Sequence, residues 1–270
     1  TILPLINEDN EGRTDQSDNF LGTLLMFEDI SSEKRMKSTM SRYMDPGIAD
    51  QLLEDGADIM GGLDTTATLL FSDLRSFTNI TESLGAQGTV KLLNEYFEIM
   101  VECITEQGGM LDKFIGDACM AFWLDSSNGS SNEHLLNTII EMNQELEKMN
   151  ADHPLLAEDP IIVRMGANSG EVILCDLGAA DARVDLTVIG DTVNAAARLE
   201  SAVKQYGVNN LVSEHSLKGV ENKFCSRIID EVRVKGKKES LKCFEIFCLN
   251  GEEKENVKYL KENFNTRNPS

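Results

Sequence analysis

Two aspartates stand where a purely structural reading is uncomfortable. In "TATLLFSDLRSFT" an apolar run is closed by Asp73, and in "MLDKFIGDACMAFW" Asp117 occupies a Gly-Asp turn between two apolar segments. Each alone is an ordinary turn residue. On strands that neighbour each other in a sheet, they would set two like charges a few ångströms apart. That arrangement needs a cation or a shared proton. Carboxylate oxygens favour Mg2+ or Mn2+, and in phosphate chemistry the substrate's own oxygens complete the coordination.

The candidate cations and amides are few. Asn194 and Arg198 lie four apart in "DTVNAAARLE", so a helix there projects both from one side, with small alanines between them that let a ligand approach. Lys113 sits in an otherwise apolar strand segment, a position that calls for a partner. Lys235, in "VRVKGKKES", ends a strand before Gly236, and a solvated basic loop accounts for it equally well. No G-x-x-x-x-G-K-[ST], G-x-G-x-x-G, H-E-x-x-H or G-x-S-x-G occurs. The three histidines, His134, His153 and His215, fall in polar segments far apart and read as surface residues.

These side chains need a frame, and the pattern supplies one from Asp64 onward. A buried strand over Ala67 to Phe71 leads into a helix near Gln87 to Gln107, with Val90, Leu93, Phe97, Met100, Val101 and Ile104 as its apolar face. Gly108 and Gly109 stop that helix, and two strands flank the Gly116-Asp117 turn. A second helix carries Leu135, Leu136, Ile139, Ile140, Leu146 and Met149. "IIVRMGANSGEVILCDLG" reads as a hairpin around Asn168-Ser169-Gly170. A strand over "VDLTVIG", a helix starting at Asp191 or Thr192 with Gly207 just past its end, and three more strands follow. Helices among hairpins and strands give an α+β fold, a sheet covered by helices on one face.

The opening residues read as two short strands, Thr1 to Ile6 and Gly22 to Phe27, which make no stable sheet alone and so belong to the end of a larger domain. Met36, Met40 and Tyr43 give the next segment a narrow apolar stripe with charged flanks, suited to a paired helical connector. The resulting divisions are 1–30, a truncated sensor domain; 31–58, a signalling helix and linker; 59–250, a catalytic domain; and 251–270, a polar tail.

With 41% hydrophobic residues among 270, the chain can bury a full core. A net charge of -21 argues against nonspecific binding to nucleic acid or anionic membrane, though a bound metal would still admit an anionic substrate. Six cysteines without a C-x-x-C pair read as buried thiols in a reducing compartment. No apolar run reaches the roughly 18 residues of a membrane helix and no signal peptide opens the chain, so the expected setting is cytoplasmic.

In order and spacing these segments resemble the class III nucleotide cyclase catalytic domain, over about Asp64 to Leu249. "LLFSDLRSFT" is similar to the family's first metal segment, "GGMLDKFIGDACMAF" to its second, "VDLTVIGDTVNAAARLE" to its purine and transition-state segment, and "VRVKGK" to its phosphate-lysine loop. The resemblance implies a ferredoxin-like βαββαβ core with additional strands. It implies two Mg2+ (or Mn2+) ions on Asp73, Asp117 and the backbone carbonyl of Leu74, and purine reading by Lys113 and Thr187. It further implies that Asn194 orients the ribose, Arg198 stabilises the transferring phosphoryl group, Lys235 holds the terminal phosphates and Arg164 contacts phosphate. Lysine donates and threonine can accept, which suits adenine N1 and its 6-amino group. The implied activity is therefore ATP to 3′,5′-cyclic AMP and pyrophosphate, at a homodimer interface, under an N-terminal PAS-type sensor as in cyanobacterial cyclases. A guanylate cyclase, or a cyclase-like domain kept for dimerisation, is the alternative.

Overall fold

The molecule, described here from a computed structural model, is defined over residues 2–6, 20–25, 62–75, 77–124, 130–153, 156, 160–178, 184–233 and 240–251. It divides into two units, Thr1–Asp50 and Gln51–Ser270. In the first, β1 (Ile2–Ile6) and β2 (Phe20–Leu25) form an antiparallel pair, with Ile2 opposite Leu25. The expected signalling helix over 31–58 lies outside the described residues, as does the tail beyond Gly251.

The second unit is built on one mixed sheet. Its strands are β3 (Leu63–Arg75), β4 (Met110–Ile115), β5 (Ala118–Leu124), β6 (Ile162–Gly178), β7 (Val184–Ile189), β8 (Asn210–Ser213), β9 (Phe224–Arg233) and β10 (Ser240–Leu249). They run in the order β4-β5-β3-β6-β8-β10-β9, with β7 paired to the far half of β6. The helices are α1 (Phe77–Glu106), α2 (Ser131–Asp152), α3 (Asp191–Tyr206) and the single turn α4 (Glu214–Leu217). The first four strands with α1 and α2 make the βαββαβ core, all antiparallel, and β6 meets β8 in parallel.

The helices lie on both faces, not one. Alternate residues of a strand point to opposite faces. Leu70 and Leu74 of β3 and Val163, Met165 and Ala167 of β6 join the buried cluster with Leu92, Tyr96, Met100 and Ile104 of α1 and Leu135, Leu136 and Ile139 of α2. The intervening Arg164 and Gly166 face α3 on the other side. A Cβ on Gly166 would come 2.0 Å from the Glu200 nitrogen and 2.6 Å from the Ala196 carbonyl oxygen. The bare glycine lets the α3 backbone lie directly on β6.

Three sequence expectations are corrected. The "ANSGE" segment is no hairpin: β6 is continuous, paired with β3 from Leu63↔Leu174 to Arg75↔Ile162. Its turn-type residues serve packing instead. Ser169 Oγ donates to Asn132 Oδ1 at 2.7 Å and lies 2.7 Å from Ser216 Oγ, and Asn168 Nδ2 donates to the Thr192 carbonyl at 3.1 Å. Gly170 clears the Thr192 side chain, whose Oγ1 would lie 2.9 Å from an added Cβ. The first helix begins earlier, at Phe77, and is broken at Gly85 (φ 65). Its buried face is turned by about one residue, with Leu92, Tyr96 and Cys103 inside and Val90 57% exposed. The expected stop holds: Gly108 takes φ 69 and Gly109 N donates to the Ile104 carbonyl at 2.8 Å.

The six cysteines are free thiols, five of them buried. Among the described residues no helix is long and apolar enough to cross a membrane.

Candidate active site

β3 and β5 are neighbours whose pairing ends at Ser72↔Cys119, so the next residues bring Asp73 beside the β4–β5 turn that carries Asp117. Gly116 enters the left-handed region there (φ 67), which an L side chain resists. Asp73 is still within β3, opposite Arg164 of β6, because β6 continues alongside it. The Arg164 guanidinium pairs with the Asp73 carboxylate, and its Nε lies 3.6 Å from Glu200 Oε1 of α3. Asp73 and Arg164 border a cavity of ≈ 720 Å3, lined also by Leu74 and Arg75 of β3, by Asp117 of the β4–β5 turn, and by Val203, Lys204 and the capping Gly207 at the end of α3.

The carboxylates of this cluster are partly desolvated and close enough to act on one another. The Asp117 carboxyl is pushed above its usual range, first by burial and then by the negative charge of Asp73, against a hydrogen bond from its own backbone and the pull of Arg164. Glu200 is likewise raised by burial and by Asp73. The donors that Asp73, Leu74 and Asp117 offer are oxygens, carboxylate and carbonyl, a set that fits a hard divalent cation. Cys119, beneath them, is no rival ligand: burial pushes its thiol up to about 11, and its Sγ lies 2.9 Å from Ser72 Oγ. Among the described residues no set of three or more His, Cys, Asp or Glu side chains converges as a closed metal cage. An open two-carboxylate site leaves positions for phosphate oxygens.

Lys113 and Thr187 form a second cluster. β4 and β7 are not neighbours in the sheet, yet the hydroxyl of Thr187, buried on β7, donates to Asp112 Oδ2 of β4. Lys113 Nζ lies 3.0 Å from Asp112 Oδ1, with the aspartate side chain 0% and the lysine side chain 45% exposed. The sequence reading passed over Asp112, which forms the link between its two purine candidates. Exposed apolar residues flank this cluster: Phe114 and Ile115 follow Lys113 on β4, and Ile189 of β7 pairs with Ile173 of β6.

Asn194 and Arg198 both lie exposed on α3. At about 100° per residue they sit roughly 120° and 160° around the helix from Glu200, whereas Val203, Lys204 and Gly207 fall within about 60° of it. One side of α3 thus serves the Asp73 cavity and the other carries Asn194 and Arg198. The chain brings Asp73, Leu74, Asp117 and Arg164 together, joins Lys113 to Thr187, and turns the Asn/Arg pair away from its own carboxylates. Lys235 lies outside the described residues.

The sequence matches the family described as adenylate and guanylate cyclase catalytic domain over residues 63–250. An adenylate cyclase of Anabaena cylindrica is 36% identical over 186 residues, covering 66% of this chain and 36% of that protein. The solved adenylyl cyclase CyaB of P. aeruginosa has 29% identity and a TM-score of 0.58, over 68% of this chain and 95% of that one. The solved guanylyl cyclase Cya2 has 28% identity and a TM-score of 0.59, over 70% and 95%. The chain spans about a third of the length of the Anabaena relative.

Proposed function

The chain belongs to the adenylate and guanylate cyclase catalytic domain family, and from that premise we propose that it is an adenylate cyclase, forming 3′,5′-cyclic AMP and pyrophosphate from ATP at sites shared between two copies. One observation carries this reading: the phosphate-type and purine-type groups form separate clusters on one chain, with α3 presenting Glu200 to the first and Arg198 away from it. Exposed Phe114, Ile115, Ile173 and Ile189 give the second cluster an apolar surround that a second copy would cover.

Two divalent cations, Mg2+ or Mn2+, would be held by Asp73, Asp117 and the Leu74 carbonyl, and would neutralise phosphate charge and acidify the ribose 3′-hydroxyl. Arg164, already among the carboxylates, exchanges its Asp73 partner for a phosphate oxygen when substrate enters. From the other copy, Lys113 donates to adenine N1, Thr187 accepts from the 6-amino group and Asn194 orients the ribose. The 3′-oxygen forms its bond to the α-phosphorus as the bond to the pyrophosphate oxygen breaks. Arg198 meets the charge growing on the α-phosphoryl oxygens, and Lys235 the charge on the leaving group. No protein nucleophile takes part.

Residues 1–30 are read as a sensor end and 31–58 as a signalling helix and linker that set how the two catalytic copies face each other. That part of the proposal rests on the sequence.

The guanylate alternative keeps weight because the likeness to guanylyl cyclase Cya2 is as close as that to CyaB. A product assay with ATP and with GTP, each in Mg2+ and in Mn2+ across protein concentration, separates the readings. Cyclic AMP with a rate per chain that rises with concentration supports the proposal. Cyclic GMP in excess selects the alternative, and no product from either nucleotide points to a binding or dimerisation domain.

A further inference from the structure

The buried Asp112 carboxylate has no part in the chemistry above, yet it touches both groups that would read the purine. A threonine hydroxyl has one proton and two lone pairs, and without a fixed partner it can present either to a ligand. Here the proton is committed, because Thr187 Oγ1 donates it to Asp112 Oδ2. The other oxygen, Oδ1, has no hydrogen bond among the described residues and lies 3.0 Å from Lys113 Nζ. With its side chain 0% exposed, Asp112 is out of a ligand's reach and acts through these two neighbours.

We propose that Asp112 is a positioning residue that sets purine choice by fixing the direction of the Thr187 hydroxyl. With its proton held, Thr187 offers the ligand a lone pair alone, while Lys113, which has no lone pair, offers N–H alone. Adenine answers both, with the 6-amino group as donor and N1 as acceptor. Guanine answers neither, since O6 would face the Thr187 lone pair and N1–H would face the ammonium. Released from the carboxylate, the hydroxyl could turn its proton toward O6, and the barrier against guanine would be halved in kind. The proposal rests on the reading of Lys113 and Thr187 as the purine contacts.

The test is kcat/KM for ATP and for GTP in the parent chain, Asp112→Asn, Thr187→Val and the double variant. The asparagine amide can donate to Thr187 Oγ1 and so free the hydroxyl proton. Asp112→Asn is expected to lower the ATP-to-GTP ratio about tenfold or more, chiefly by raising GTP turnover relative to ATP. In the Thr187→Val background, where there is no hydroxyl to orient, the same change is expected to leave the ratio within about twofold. Asp112→Glu, which keeps a carboxylate acceptor, is expected to keep the parental ratio within about threefold even if both rates fall, and it serves if Asp112→Asn does not fold. Equal loss for both nucleotides in Asp112→Asn, an undiminished shift in the valine background, or a relaxed ratio in Asp112→Glu overturns the proposal. A parent that prefers GTP, or a Thr187→Val chain with an unchanged ratio, removes the underlying purine reading instead, and the proposal with it.

Discussion

Glu200 and Arg198, two residues apart on α3, serve opposite sides of the helix. Glu200 lies 3.6 Å from the Arg164 guanidinium in the Asp73 cluster, and Arg198 is exposed roughly 160° away. One helix thereby gives Glu200 to the Asp73 cluster and carries the exposed Arg198 on its far side. Gly166, on the sheet beneath α3, leaves room for the helix backbone at Glu200 to lie directly on β6.

Replacing either cavity aspartate should abolish turnover but differ in its effect on stability. Asp73→Ala and Asp117→Ala are each expected to lower kcat on the order of a thousandfold, as loss of several kcal/mol of charge stabilisation implies. Asp73→Ala also strips Arg164 of its partner, which should lower stability by about 1.5–3 kcal/mol. Asp117→Ala removes a carboxylate whose ionisation is disfavoured by burial, and should leave Tm unchanged or higher at neutral pH. Paired activity and melting measurements check both halves.

Glu200 makes a pH prediction with a definite sign. Its folded-state pKa is raised, by burial first and by Asp73 second, above an ordinary value of 4.5. A raised pKa means the folded state holds the proton more tightly than the unfolded one. Its contribution is therefore fully present below pH 4.5 and is lost as pH rises through the raised value. In metal-free protein, Glu200→Gln should match the parent in Tm near pH 4 and exceed it at pH 7. Equal melting curves at both pH values would contradict the assigned cause.

Gly166→Ala should disrupt the Asp73 cluster by displacing α3. The added methyl meets backbone atoms of α3, which cannot turn aside as a side chain can. Displacing the helix should lower stability by about 1–3 kcal/mol or more, with loss of turnover beyond what partial unfolding explains. Gly108→Ala is the control. Nothing lies within 4 Å of its Cβ, and with φ +69 it should lower stability by about 1 kcal/mol from backbone strain alone. Urea denaturation of the two variants, with activity at matched folded fraction, makes the comparison.

The meeting of Asp73 with Asp117 was legible in the sequence because strand ends and turns leave strong local signals. The pairing of Asn194 with Arg198 was legible because helical spacing is regular. The course of β6 was not. Asn-Ser-Gly carries turn chemistry, and its use inside a strand depends on Thr68, Asn132, Thr192 and Ser216, all distant in the chain. Asp112 was missed for a similar reason: beside Lys113 it looks like a solvated acid, and what buries it is a contact with Thr187, 75 residues on. Glu200 gave no signal either, since its role depends on Arg164 being across the sheet–helix interface. The buried face of α1 shifted because Leu92 and Tyr96 offered a second stripe of similar strength.

The shared site is the central claim, and mixing two inactive chains tests it most directly. Asp73→Ala and Arg198→Ala damage one site from different copies, so a heterodimer holds one site with both lesions and one with neither. Differently tagged chains, co-expressed and isolated as confirmed heterodimers, are assayed for cyclic AMP from ATP beside each inactive homodimer. The account predicts that activity returns, to about half the parental value per dimer by the two-fold site count. Confirmed heterodimers as inactive as either parent homodimer would show that Asp73 and Arg198 act within one chain, and would contradict the account.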